Sequence, residues 1–386
     1  MKAKGILPGT RGEGEEWLVL TMLFRLLGIL ERSLTDIRRY GRPKIPGGFR
    51  RNKQGRILAR SFPHTLVDRI FYSFVSGDVL FPEGTEESDI LENQAKIYSG
   101  SAGGNVCLVL AAGNLSVLSV IDFMYKLFVE NQVVIVKTNP VNDYINPFLE
   151  KAFAPLIDQG FLRIIHGGAE EGRYLCQHPD IDELHLTGSD KTFDAIVFGS
   201  GEQGVKNKNN REPQSDKRFT AELGNITPVI VVPGPWSESD VQSQAVKLVS
   251  WFSVNAGFNC ITPRLLIQHK NWSKRDILIT AITNLLKTVE TRNAYYPGAQ
   301  DRHRMFLDHH PRALQIGETP EGHLPWTFIK DVDPQNEADI CFSTEPFCSL
   351  VSETGLESES VVDFIDKAVD FANTRVWGSL AAVVLV

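Results

Sequence analysis

"NVCLVLAAGNLSVLSVIDFMYKLFVENQVVIVK", residues 105–137, decides the fold. It opens on an apolar run, 105–112, and closes on the β-branched run "VVIVK", 133–137, with a segment of helical length, 116–130, between them. Neither run alternates cleanly between apolar and polar residues, which is the pattern of strands covered on both faces. The alternation continues outward. "FLRIIH" (161–166) and "ELHLT" (183–187) are further short β-rich runs, and 144–159 and 169–178 have the length of helices. Strand and helix alternating in this way predict a doubly wound parallel sheet, whose ligands bind beyond the carboxyl ends of its strands.

Past this region, residues 199–217 are rich in Gly, Asn and charge with almost no apolar side chain, and read as a loop or linker. "FTAELGNITPVIVVPG" (219–234) then supplies another strand, and "SESDVQSQAVKLVSWF" (237–252) a helix. Ser237 and Asp240 have the spacing of a capping box, and Val241, Ala245, Leu248 and Phe252 share one helical face. That helix delivers the chain to "NAGFNCITPRLLI" (255–267), where Cys260 stands between a Gly-containing turn and an apolar strand. Residues 270–340 are less regular, with an amphipathic helix near 274–288 and a Pro/His-rich loop at 295–312. No internal repeat is visible.

Length and composition bound the class. The chain has 386 residues, 42% hydrophobic and 23% charged, ordinary values for a globular protein of two or three domains. The longest apolar segment, 17–30, is too short for a bilayer span and contains Arg25, so it reads as a buried or interfacial helix. Glu13, Glu15 and Glu16 stand where a secretory signal would be basic. Residues 1–60 hold 14 Lys and Arg against 5 Asp and Glu, while the rest of the chain sums to −16. The basic stretch lacks a nucleic-acid motif and the acidic bulk argues against such a partner. Cys107, Cys176, Cys260, Cys341 and Cys348 are widely spaced with no C-x-x-C, which excludes the usual structural zinc spacings and a disulfide scaffold. Reduced thiols and a cytoplasmic location follow as expectations.

A nucleophilic cysteine needs a base or positive potential, because a free thiol is mostly protonated at neutral pH. No histidine lies within a helical turn of Cys260, leaving His166, His178 and His185 as spatial candidates only. Glu222 precedes Cys260 by 38 residues, across one strand and one helix, so the two loops can meet over one cleft. Cys260 can equally be a small apolar side chain where loop meets core, Lys137 a surface lysine, and Gly188 with Ser189 a helix N-cap. Asp308, His309 and His310 are read as an exposed loop and no metal is expected, since adjacent histidines cannot share a helical face. Phe258 and Trp251 suit either an apolar tunnel or the core.

Taken together, "FTAELGN", "PVIVV", "NAGFNC" and "RLLI" resemble the paired signature of the aldehyde dehydrogenase superfamily, a glutamate in E-L-G-G and a cysteine in N-x-G-Q-x-C. "AAGN" (111–114) is similar to its P-W-N, "VVIVKTNP" to its strand ending in K-P-S-E, "HPDIDELHLTGS" to its H-P-x-I-x-x-I-x-F-T-G-S, and "EPFC" (345–348) to its E-x-F-G-P. These matches run in the family's order from about residue 105 to the end. The resemblance implies a Rossmann-like cofactor domain followed by an α/β catalytic domain, and oxidation of a small-molecule aldehyde to a carboxylic acid. It implies Cys260 as nucleophile, Glu222 as base toward water and the Asn114 amide as an oxyanion donor. It also implies Lys137, Gly188, Ser189, Leu223 and Glu345 as contacts for the cofactor, NAD or NADP.

Several positions depart from the family. Asn225 replaces the second glycine of E-L-G-G, Gly113 the tryptophan of P-W-N, and Pro140 the glutamate of NAD-preferring members, which leaves NADP open. The resemblance divides the chain into a basic N-terminal region, 1–104, packing on a dinucleotide-binding domain, 105–221, and a catalytic domain, 222–386, that stops at "VWGSLAAVVLV". Family members continue beyond this point, so the expectation is a C-terminally incomplete catalytic domain with an open sheet edge. A homo-oligomer is expected once that segment is supplied. A CoA-dependent acyl-CoA reductase and a non-catalytic relative are the alternatives.

Overall fold

A computed structural model describes residues 1–100 and 104–386. The expected parallel sheet is present. Its strands lie in the order Leu162–Ile165, Val133–Lys137, Val106–Leu110, Glu183–Gly188 and Arg218–Leu223, each parallel to its neighbour. The chain starts at the central strand, builds outward to one edge and then returns to build the other. This reversal opens a crevice past the carboxyl ends of Val106–Leu110 and Glu183–Gly188. Apolar side chains cover both faces: Cys107, Val109, Val134 and Val136 join Phe123 in one cluster, and Leu108, Leu184 and Leu186 join Leu175 in another. That double burial is why the strands read as unbroken apolar runs.

A second sheet carries the catalytic half of the family resemblance. Its order is Leu314–Ile316, Trp326–Val332, Leu350–Leu356, Pro263–His269, Thr227–Val231 and Val383–Leu385, parallel except for the first strand. Helix Glu238–Ser253 covers one face with Val241, Ala245, Leu248 and Phe252, as its periodicity predicts. Its capping box is formed: Ser237 accepts from the Asp240 amide and Asp240 from the Ser237 amide.

The N-terminal region adds helix Arg11–Tyr40 and a small antiparallel sheet, Phe49–Arg51, Ile57–Phe62 and Gly77–Leu80. Leu23, Leu27 and Leu30 of the helix pack against the first sheet's core, while Trp17 and Phe24 are 60% and 68% exposed. Segment 17–30 is therefore a surface helix with one face buried, within a longer helix than the apolar run indicates. Among the described residues no helix is long and apolar enough to cross a membrane.

Two expected loops are helical. Gly201–Asn210 forms a helix inside 199–217, with no apolar stripe because it buries almost nothing. Polar bonds hold it instead: Asn207 Nδ2 donates to the Phe198 carbonyl at 2.8 Å and Lys208 pairs with Asp194. Ala299–His309 is a helix inside 295–312, seated by Ala299, His303 and Phe306, all buried. Its histidines and arginines obscure that apolar spacing.

Candidate functional site

The crevice at the first sheet meets the turn before Pro263–His269 in a cavity of ≈ 270 Å³. Its wall includes Asn114 after the central strand, Gly188 and Ser189 after the fourth, Glu222 and Leu223 on the fifth, and Cys260 and Glu345 from the second sheet's loops. A larger hollow of ≈ 660 Å³ lies between Lys270, Arg275, Asp331, Glu357 and Arg375, but four of these charges are paired across it. Lys270 pairs with Glu357 at 2.6 Å and Arg275 with Asp331 at 2.6 Å.

Cys260 is presented by a constrained turn. Asn255, Ala256 and Gly257 all have positive φ, at 52°, 54° and 80°, a run that non-glycine residues enter only when their surroundings fix them. Those surroundings are on hand. The Asn255 amide N–H donates to Glu15 Oε2 at 2.9 Å, and its side-chain Nδ2 donates to the Asn114 and Phe258 carbonyls, each at 3.1 Å. Gly257 is required by close approach, because a Cβ there would sit 2.5 Å from the Cys348 carbonyl. Beneath the turn, Arg264 is 2% exposed and donates to the carbonyls of Gly257, Cys348 and Leu350. The two terminal nitrogens of the guanidinium thus bind three backbone oxygens, while Nε is buried without a partner.

The Cys260 thiol donates to Glu222 Oε1 at 3.8 Å. Its pKa is pushed up to about 12, first by burial, then by the negative charge of Glu222 and Glu345. At rest this sulfur is a thiol, with its proton directed at a carboxylate that can accept it. Cys107, Cys176, Cys341 and Cys348 are all buried, whereas Cys260 is half-exposed.

Asn114 is 4% exposed, and its Nδ2 donates to the Phe258 carbonyl at 2.9 Å. An amide nitrogen carries two hydrogens, so one remains for the cavity. The Asn114 backbone carbonyl is a meeting point: Lys4 Nζ lies at 3.1 Å, Asn255 Nδ2 at 3.1 Å and the Tyr295 hydroxyl at 2.9 Å. Lys4 is itself buried and paired with Glu16 at 2.7 Å, and burial lowers its pKa despite that partner. Sequence reasoning missed Lys4 and Tyr295. Nothing in residue spacing joins positions so far apart to Asn114.

Glu345 lines the same wall. Burial raises its pKa to about 7, against the opposing pull of Arg264, the Asn225 amide and Arg302. Its Oε1 is buried without a partner. Gly224 fits here because a Cβ would collide with the Glu345 carboxylate. The Asn225 beside it, where the family has glycine, donates from Nδ2 to Thr227 Oγ1 at 2.9 Å and to the Ala381 carbonyl at 3.0 Å. It ties the turn after Glu222 to the end of the chain. Gly113 stands against Asn139, whose side chain would come within 2.7 Å of a Cβ at position 113 and fills the space a larger residue would need.

The remaining sequence candidates divide. Ser189 does cap helix Asp190–Val197, accepting from the Thr192 amide at 3.2 Å, and still faces the cavity with Gly188. Lys137 is outside the cavity wall; its ammonium donates to the Gly167 carbonyl at 2.6 Å, and burial lowers its pKa. His166, His178 and His185 are absent from the wall. Phe258 is core, in contact with Tyr296 and Phe347, and Trp251 is 38% exposed and away from the cavity. The wall also contains Tyr296, Arg302, Phe347 and Trp377, which no motif announced. Arg302 donates to the Pro346 and Phe347 carbonyls at 3.1 and 3.2 Å, fixing the loop that carries Glu345.

Comparison with known proteins places this geometry. The fold is similar to that of γ-glutamyl-γ-aminobutyraldehyde dehydrogenase from Burkholderia cenocepacia J2315, with TM-score 0.58 and 21% identity over 73% of this chain and 55% of that one. In sequence it is similar to N-succinylglutamate 5-semialdehyde dehydrogenase of Sphingopyxis alaskensis, 30% identical over 151 residues, 39% of this chain and 27% of the relative. It is also similar to the NADP(+)-dependent D-glyceraldehyde dehydrogenase of Picrophilus torridus, 25% identical over 200 residues, 51% of this chain and 36% of the relative. The matched regions thus span 27% and 36% of these curated relatives. The model of the aldehyde dehydrogenase family matches residues 87–300, more than half of the sequence. The chain belongs to the aldehyde dehydrogenase family.

Proposed function

We propose that the chain oxidises an aldehyde to a carboxylic acid with NAD or NADP, using Cys260 as nucleophile. The observation that carries this reading is the Cys260 thiol directed at Glu222 on the wall of a cavity shared with Asn114 and the carboxyl end of the first sheet. Glu222 takes the thiol proton, and the sulfur adds to the aldehyde carbon to form a thiohemiacetal. The free hydrogen of the Asn114 amide and the Cys260 backbone N–H face the oxygen as it gains charge. The dinucleotide, when bound, supplies the hydride acceptor that leaves Cys260 carrying a thioester. Glu222 releases the thiol proton to solvent, then removes a proton from water as it attacks the thioester, and the acid departs with the Cys260 sulfur as leaving group.

The chain's own residues suit a dinucleotide. The crevice lies where strand order reverses, Gly188 and Ser189 present the first amides of helix Asp190–Val197 to it, and the Glu345 Oε1 without a partner is an acceptor for a ribose hydroxyl. In this reading residues 105–221 bind the cofactor, 222–386 hold the reacting groups and 1–104 brace both; Lys137 contributes only after its ammonium releases Gly167. A cytoplasmic, homo-oligomeric protein acting on small molecules, without nucleic acid, fits the same reading.

Discharge of the thioester to CoA is the second reading, and the Glu222 contact with Cys260 favours water over it. The test is a panel of aldehydes assayed by absorbance of the reduced nicotinamide, with each dinucleotide, with and without CoA. Production of NADH or NADPH without CoA, lost in C260S, supports hydrolytic oxidation. Strict dependence on CoA, or no turnover with any aldehyde, overturns it.

A further inference from the structure

We propose that His310, Asp339 and Cys341 form a binding site for a thiophilic divalent cation of the Zn²⁺ class, separate from the Cys260 cavity. His310 follows helix Ala299–His309, Asp339 caps the short helix Ile340–Ser343, and Cys341 lies within that helix. The fold brings together residues some thirty positions apart. His310 Nε2 lies 3.0 Å from Asp339 Oδ1 and 3.4 Å from Cys341 Sγ, and the three ligand atoms all lie within 4.8 Å of one another. Around a tetrahedral Zn²⁺ with bonds of about 2.0 Å to nitrogen or oxygen and about 2.3 Å to sulfur, neighbouring ligand atoms are roughly 3.3–3.6 Å apart. The two pairs that include His310 need to open by only a few tenths of an ångström to surround such an ion.

Without a cation the imidazole nitrogen cannot serve both of its neighbours at once. One ring nitrogen faces both a carboxylate oxygen and a sulfur, and it holds at most one hydrogen. If the thiol donates to it, its lone pair is already used and it offers the carboxylate no hydrogen. If it carries the hydrogen, the carboxylate and sulfur compete for that one donor. Asp339 Oδ1 also accepts the Cys341 amide at 2.9 Å, which holds acid and thiol on the same side. A cation at the centre takes a lone pair from each of the three atoms at once, and the thiol proton leaves to solvent as the metal–sulfur bond forms. The donor set of sulfur, imidazole and carboxylate selects a borderline-soft ion over Mg²⁺ or Ca²⁺, and three protein ligands leave a fourth position for water. The site reaches solvent through His310, whose side chain is 18% exposed.

His309 takes no part: it is exposed and its Nδ1 lies 2.8 Å from the Met305 carbonyl one turn back. The site's reach is toward the cavity. Ser343, Thr344 and Glu345 of its wall begin two residues after Cys341, so a bound cation anchors the start of the segment that carries Glu345.

Co²⁺ titration of the chelator-treated full chain tests this without depending on the proposed oxidation. The expected result is a near-ultraviolet thiolate-to-cobalt band with visible bands of a tetrahedral site, saturating at one equivalent and abolished by Zn²⁺. C341S abolishes the thiolate band, and H310A weakens binding by more than the ~10- to 100-fold typical of a lost outer partner. H309A and C260S leave both features intact. D339N supplies a further ligand-removal arm should C341S fail to fold, and it too should weaken binding. No thiolate band at stoichiometric Co²⁺, a band that survives C341S, or one that disappears with C260S overturns the proposal.

Discussion

Replacing Glu222 by glutamine should make Cys260 more reactive toward an alkylating agent while making the enzyme slower. The thiol's proton lies on a contact 3.8 Å long with the Glu222 carboxylate, whose charge opposes formation of a sulfur anion. Two unit charges at that distance repel by about 1 kcal/mol in a water-like medium and by about 4 kcal/mol at an effective dielectric of about 20. At 1.36 kcal/mol per decade, removing the repulsion raises the thiolate population between roughly 6-fold and roughly 1000-fold. A less basic thiolate is also a weaker nucleophile, with a Brønsted slope near ~0.45, so the alkylation rate rises by about 3- to 45-fold. Iodoacetamide at pH 8 measures this directly, because the other four cysteines are buried and C260S supplies the background. In the unaltered protein the same rate should climb steadily from pH 7 to about 10, since the pKa of about 12 keeps the thiol protonated throughout. Turnover of aldehyde by E222Q should fall by about 100-fold or more, as expected for a lost general base. An alkylation rate that is unchanged or lower in E222Q refutes the charge argument.

Three further perturbations follow from the site. Glu345 has its pKa raised to about 7 by burial, so the fold favours the protonated acid; that contribution is present below the ordinary carboxylate value and is lost as pH rises toward 7. E345Q should therefore exceed the parent in stability at pH 8 by about 3 kcal/mol and match it near pH 4.5, read from urea midpoints; a difference independent of pH counts against this account. R264M strands the buried carbonyls of Gly257, Cys348 and Leu350 and should cost about 3–5 kcal/mol, measured in the same way; a cost below about 1 kcal/mol contradicts their dependence on Arg264. N114A should lower kcat by about 100- to 1000-fold with little change in iodoacetamide rate at Cys260, and equal losses in both would mean that Asn114 only shapes the turn.

What was legible in the sequence was local or strongly periodic. The buried strands of the first sheet, the capping box at Ser237 and the Cys260–Glu222 pair follow from apolar runs, cap spacing and motif order. Helices Gly201–Asn210 and Ala299–His309 were hidden for opposite reasons, one because it has no buried face and the other because polar residues surround its few anchors. Lys137 shows the limit of motif reasoning: its position at a strand end was readable, but its bond to the Gly167 carbonyl depends on a turn that sequence does not fix. The cation trio escaped because adjacent histidines drew attention to Asp308 and His309, whereas His310 meets its partners across two helices.

The Asn114 carbonyl also orders events during synthesis. All five strands of the first sheet are complete by Leu223, while Tyr295, which bonds that carbonyl, lies 181 residues beyond Asn114. A nascent chain arrested before Tyr295 emerges can therefore assemble the crevice but not the braced turn beside it, and contacts of such long sequence separation form late. The turn that presents the sulfur is thus completed after the first sheet has already taken shape.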